Sequence, residues 1–119
     1  MKLYVAGPMR GYERNNFPAF DAEAARLREL GHEVISPADL DRQTGFDEHL
    51  TVMPEGFMRK AFDRDVAALK VVDGIVVLPG WQKSTGALAE AGIARWLGLP
   101  IYEAGTMREV GGKLGWNVV

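Results

Sequence analysis

The sequence predicts an α/β fold: a three-layer α/β/α sandwich around a four- to five-stranded parallel sheet. Two observations carry this. Short apolar runs of strand length alternate with longer segments whose apolar residues recur at helical spacing, and such alternation builds parallel sheets covered on both faces. In addition, the run Asp73-Gly-Ile-Val-Val-Leu-Pro79 is almost wholly apolar and ends on a proline, as a central parallel strand does. A flavodoxin-like or Rossmann-like strand order fits this pattern, with ligands expected beyond the carboxyl ends of the strands, where the strand order reverses.

The elements follow in order. Residues 2–6 (KLYVA) form a first strand stopped by Gly7-Pro8. A helix follows the loop, with Asn15 or Asn16 as its cap, Pro18 in its first turn, Phe17, Phe20, Ala24 and Leu27 on one face, and Gly31 as its stop. His32 to Ser36 form the second strand, closed by Pro37. The polar, weakly periodic stretch from Ala38 to Met53 reads as a long loop, at most with a helical turn, and loops of that length are often functional. A helix is expected from about Pro54 to Lys70, then the central strand, then a helix from about Thr85 to Leu97 ended by Gly98. Leu99 to Glu103 make a fourth strand, and the tail WNVV is a candidate fifth.

Composition narrows the function. A length of 119 residues gives one domain, and a formal net charge of −2 offers no basic footprint for a nucleic-acid polymer. The absence of cysteine excludes disulfides, thiolate metal sites and a cysteine nucleophile. His32 and His49 are isolated, and no metal spacing is present, so no metal or other cofactor is expected. No apolar stretch is long enough for a membrane span or a signal peptide, so a soluble, cytoplasmic protein is expected.

Glu90 is the most unusual residue. With Gly86, Ile93 and Leu97 it falls on one face of the expected last helix, where a carboxylate interrupts an apolar stripe. Burial without partners is costly, so it must be paired, protonated or facing a cavity, unless the stripe is rotated and Glu90 is solvated. The loop Ala6-Gly7-Pro8-Met9-Arg10-Gly11 combines glycines, which let backbone approach a ligand, with an arginine fork suited to phosphate or carboxylate. It is neither a dinucleotide fingerprint nor a Walker loop, and a Gly-Pro turn with an arginine can also be plain loop chemistry. Ser84-Thr85-Gly86 opens the helix that carries Glu90. That start can bind an anion, cap the helix, or both. From the residues alone, Tyr4 reads as core packing and Asp65 as a solvated helix aspartate.

Taken together, Tyr4-x-x-Gly7-x-x-Arg10-Gly11, Asp65 eight residues before Asp73, and Ser84-x-Gly86-x-x-x-Glu90-x-Gly92-x-Ala94 resemble the nucleoside 2-deoxyribosyltransferase superfamily. The likeness extends to small uncharacterised proteins of phage genomes. It implies that Glu90 is a nucleophile attacking C1′ of a sugar, that Tyr4 holds its carboxylate, and that Asp65 handles the base and its proton. Transferases of that superfamily acting on free nucleosides tend to carry aspartate at position 84. The branch hydrolysing deoxynucleoside 5′-monophosphates carries serine there and an arginine at the place of Arg10, so the resemblance implies a nucleotide substrate held by Gly7, Arg10, Gly11, Ser84, Thr85 and Gly86. It also implies a small-molecule nucleotide or nucleoside as partner and a homodimer or higher homo-oligomer. The alternative reading is a non-catalytic module binding a nucleotide or an ADP-ribose-like ligand, in which Glu90 only hydrogen-bonds a ribose.

Overall fold

The computed structural model describes residues 1–49 and 53–110. Four parallel strands stand in the order β2-β1-β3-β4, with β1 at Lys2–Ala6, β2 at Glu33–Ile35, β3 at Gly74–Val77 and β4 at Ile101–Glu103. Four α-helices cover the sheet: α1 (Phe17–Glu29), α2 (Pro37–Gln43), α3 (Phe57–Leu69) and α4 (Thr85–Trp96). This is the expected sandwich, and the 2-1-3-4 order is the flavodoxin-like alternative. A candidate fifth strand in WNVV lies outside the described residues. Among the described residues, no helix is long and apolar enough to cross a membrane.

Side-chain alternation along the strands sorts the core into two halves. Leu3 and Val5 of β1 and Val76 of β3 join Phe17, Phe20, Ala24 and Leu27 of α1 on one face. Tyr4 and Ala6, with Ile75 and Val77, face the other way and meet Leu69 of α3 and Ala87, Ala91 and Ala94 of α4. Tyr4 is in register with Ile75 across the β1–β3 pair, so its ring sits in the middle of the sheet under α4.

Three elements depart from the sequence expectation. The stretch after Pro37 is helical through Gln43, because Pro37 sits in a first turn, where proline is pre-organised, and Ala38 and Asp41 are buried on one side. Its short length and polar outer face hid the periodicity. Asn16 holds the N-cap position of α1 but makes no side-chain capping hydrogen bond. Asn15 and Asn16 both adopt left-handed backbone, and their side-chain amides instead donate to the carbonyls of Glu48 and Pro8, at 2.7 and 2.8 Å. The inward stripe of α4 is also rotated from the Gly86–Glu90–Ile93–Leu97 face: Ala87, Ala91 and Ala94 are buried, whereas Leu97 is exposed. Glu90 therefore stands at the border of the packing face, half-buried.

The strand order reverses between β1 and β3, and the chain leaves both strands through tight turns. A Cβ on Gly7 would lie 2.7 Å from Leu78 Cβ, so glycine is required there for the β1 and β3 exits to pass each other. Gly7→Ala should destabilise the fold by about 1–3 kcal/mol, as overpacking does, measured by urea unfolding. In a Leu78→Gly background, which lacks the opposing Cβ, the same Gly7→Ala change should cost less. Simple additivity of the two losses would show that the close approach is not the cause.

Candidate functional site

A cavity of about 730 Å³ opens at the carboxyl ends of β1 and β3. One rim comes from the loop after β1 (Gly7 to Arg10), another from the start of α4 (Lys83 to Ala87), and a third from α3. The location is the one open α/β sheets reserve for ligands.

Glu90 lines the cavity from α4, and Tyr4 stands behind it, fully buried, donating its hydroxyl to Glu90 Oε2 at 2.5 Å. That contact depends on the small residues of α4. With alanine at 87, 91 and 94 the helix lies close enough to the sheet for a strand hydroxyl to reach a helix carboxylate. Asp65 lines the cavity from α3, close enough for its charge to raise both Glu90 and Tyr4.

The electrostatics agree. Burial pushes the Glu90 carboxyl up to about 8, opposed by the Tyr4 hydrogen bond and reinforced by the negative charge of Asp65. Asp65 is also raised by burial, while the Arg64 guanidinium pulls it back down. The Tyr4 phenol is held well above its usual range by burial first, then by the two carboxylates. Glu90 is thus the member of the pair that keeps its proton at neutral pH.

The other anticipated residues are placed as follows. Gly7, Arg10, Ser84, Thr85 and Gly86 all line the cavity, Arg10 as an exposed rim residue, whereas Gly11 turns the loop at a φ of +83° outside the lining. Ser84 caps α4, accepting the Ala87 N–H at 3.2 Å, so capping and a place on the cavity coexist in one residue. Of the other aspartates considered, Asp73 is structural: it accepts the Lys2 N–H at 2.8 Å.

A profile described as "Domain of unknown function (DUF4406)" matches residues 1–103. The chain belongs to the DUF4406 family. No curated protein matches this DUF4406 domain. Among solved structures, the domain is similar to a 2-deoxyribosyltransferase from the psychrotolerant bacterium Bacillus psychrosaccharolyticus, with a TM-score of 0.64 and 24 % identity. The match covers 87 % of this chain and 71 % of that one. The likeness is one of fold.

Sequence reasoning missed several cavity residues of the DUF4406 domain. Arg64, Asp41 and Lys83 were not singled out; all three line the cavity. So does an apolar wall that includes Met9, Phe46, Met53, Phe57 and Phe62. The only signal for these was the Ala38–Met53 stretch itself, marked as functional by its length, which supplies Asp41, Phe46 and Met53.

Glu90 makes stability depend on pH. Its folded-state value of about 8 lies above the ordinary value of about 4.3 for an unfolded chain. The folded protein therefore holds the extra proton between those limits, and stability falls as pH rises through that window. Glu90→Gln keeps the acceptor for Tyr4 and removes the ionisation. Its melting temperature should match wild type near pH 5, pull ahead progressively toward pH 8 and hold a constant lead above it, with about 4–8 °C for each kcal/mol. A pH-independent difference would mean that Glu90 ionises in the folded protein as it does in water.

Proposed function

We propose that this protein cleaves the N-glycosidic bond of a deoxynucleoside 5′-monophosphate through a covalent glycosyl-glutamate on Glu90. The sugar is then transferred to water or to another base. The observation that carries the reading is the trio Tyr4–Glu90–Asp65 on a ligand-sized cavity, with the Tyr4 hydroxyl 2.5 Å from the Glu90 carboxylate. A fold shared with a 2-deoxyribosyltransferase supports it.

The chemistry balances with the one proton held by the pair. Glu90 attacks C1′ as the C1′–N bond breaks, and the departing base nitrogen takes a proton from Asp65. For this, the shared proton must move from Glu90 to Asp65 once the ligand excludes water. Glu90 is then the carboxylate and Asp65 the acid. In the second half-reaction Asp65 takes a proton from water or an incoming base, which attacks C1′ and releases Glu90. Tyr4 holds the attacking oxygen's partner in place throughout. A missing 2′-hydroxyl leaves room for the carboxylate beside the ring.

The phosphate would lie at the other end of the cavity. Ser84 precedes Glu90 by six residues, about 9 Å along the α4 axis. First-turn N–H groups of a helix are donors without helical partners, and Arg10 and Lys83 add two positive charges to the same rim. A helix start flanked by cations suits a dianion. The homo-oligomer belongs to this reading too; Met58, Phe62 and Trp96 leave exposed apolar surface on α3 and α4 for copies to meet on.

Incubation with deoxynucleoside monophosphates and chromatography for free base is the direct test. Wild type should release base, and Glu90→Gln should lose several orders of magnitude in turnover while still binding the nucleotide. A 2-fluoro-2-deoxy analogue should leave a mass adduct on Glu90. Robust release by Glu90→Gln would end the nucleophile assignment, and no release by wild type would favour a binding module.

The substrate class has its own test. Arg10→Ala should weaken monophosphate binding by about 1.5–3 kcal/mol, as for a hydrogen bond to a charged group, and leave the matching nucleoside nearly unchanged. Equal losses for both ligands would make Arg10 part of the scaffold.

A further inference from the structure

Arg64 stands between two carboxylates from different elements. Its Nε and Nη2 both donate to Asp65 Oδ1, at 3.0 and 2.8 Å, which leaves Asp65 Oδ2 unengaged by the guanidinium. The same Nη2 lies 2.8 Å from Oδ1 of Asp41 on α2. Asp41 is almost fully buried, its side chain 4 % exposed, and that of Arg64 is 23 % exposed. Arg64 and Asp65 are neighbours on one helix turn, where adjacent side chains diverge and do not ordinarily face each other. The guanidinium is folded back along its own helix and forms an ion pair with the buried carboxylate of α2, whose Oδ1 accepts no hydrogen bond.

We propose that Arg64, braced by Asp41, is a positioning residue for the carboxylate pair: it pins one oxygen of Asp65 and makes Asp65 the anionic member of the pair before ligand binds. This rests on the function proposed above, in which the proton must begin on Glu90 and pass to Asp65. The charges around the pair come from four elements. Tyr4 of β1 donates to Glu90, Arg64 of α3 donates to Asp65, Asp41 of α2 balances Arg64, and Glu90 itself comes from α4. Arg10 and Lys83 stand elsewhere on the cavity rim, with no contact to either carboxylate among those described. Arg64 is thus the cation in contact with the pair, and it touches only Asp65. Its charge lowers both carboxyls, but only Asp65 also receives its hydrogen bonds, so Asp65 is lowered the more.

Removing either member of a buried ion pair strands the other, whereas replacing both with neutral groups is often tolerated. Asp41 is worth its burial only if Arg64 is needed where it is.

The test reads titration in the ligand-free protein, so it does not depend on turnover. Side-chain carboxyls labelled with carbon-13 are followed by NMR in wild type, in the double variant Asp41→Asn/Arg64→Gln, and in Arg64→Lys. Losing the guanidinium that donates twice to Asp65 should raise the titration midpoints of the Asp65–Glu90 pair by about 1 pH unit in the double variant, the low end of the range by which a neighbouring arginine lowers an aspartate, because Asp41→Asn removes an opposing charge with it. Arg64→Lys should raise them by less, because one ammonium cannot serve Asp41 and Asp65 together. If the double variant does not fold, Arg64→Lys still answers the question. Unchanged midpoints in either folded variant would overturn the proposal, since a purely structural Arg64 would leave them where they are. Absence of base release by wild type would overturn the glycosidase reading and leave the titration result standing.

Discussion

The hydrogen bond from Tyr4 to Glu90 is the contact around which the rest of the molecule is arranged. It joins the centre of the sheet to the helix above it, and each partner is costly to bury alone. A phenol at zero exposure needs an acceptor, and a carboxylate on a packing helix needs a donor. Strand alternation sends Tyr4 toward α4 rather than α1, and the run of alanines on α4 brings the helix within reach. A larger residue at 87, 91 or 94 would lift α4 from the sheet and part the two groups. The site is therefore as rigid as the core, because it is made from the core.

The apolar wall opposite is held by different means. Phe46 lies between Phe17 and Phe57, with ring centroids 5.9 and 4.8 Å away, and so ties the segment after α2 to the starts of α1 and α3. Arg42 stacks over Phe17 at 4.9 Å and pairs with Asp21, while Arg14 and Arg42 both reach Glu48. These pairs are partly exposed and individually weak, but several of them converge on the few residues that follow α2. That convergence gives an irregular segment a fixed face toward the cavity. That face is aromatic, with tilted rings, and includes Met9 and Met53.

How much of this could be read in the sequence depended on the range of the interaction. The strands, α1, α3 and α4 were legible because their signals are local: apolar runs, helical spacing, and glycine or proline stops. Glu90 was legible because a carboxylate beside a packing face is out of place whatever surrounds it. Tyr4 and Asp65 were not conspicuous by themselves; each gained meaning only through resemblance, since a tyrosine in a strand and an aspartate in a helix are ordinary. Asp41 and Arg64 lay beyond reach, being 23 positions apart on elements whose contact is set by tertiary packing. The α2 helix itself was hidden because seven residues with one buried side give too little periodicity to detect. Gly7 was picked as a point of backbone approach to a ligand, and the close approach that the structure shows there is to Leu78.

The charge inventory of the cavity carries the argument one step further. At the floor, Asp41 and Arg64 cancel and Glu90 keeps its proton, so with Asp65 anionic, as proposed above, a net charge of −1 stands in a setting that screens it poorly. At the rim, Arg10 and Lys83 flank the positive end of the α4 dipole. The cavity is thus polarised along α4, negative inside and positive outside. On the function proposed here, a dianionic group would be repelled by the floor and attracted by the rim, so a nucleotide would have one favourable orientation, with its phosphate outward and its sugar over the carboxylates. A free nucleoside lacks the charge that reads this gradient. Orientation by a field of this kind acts before any close contact forms, and it weakens as salt is added. On the function proposed here, the same negative floor would favour the positive charge that develops on the sugar as its bond to the base breaks, so the polarity that orients the substrate would also stabilise the transition state.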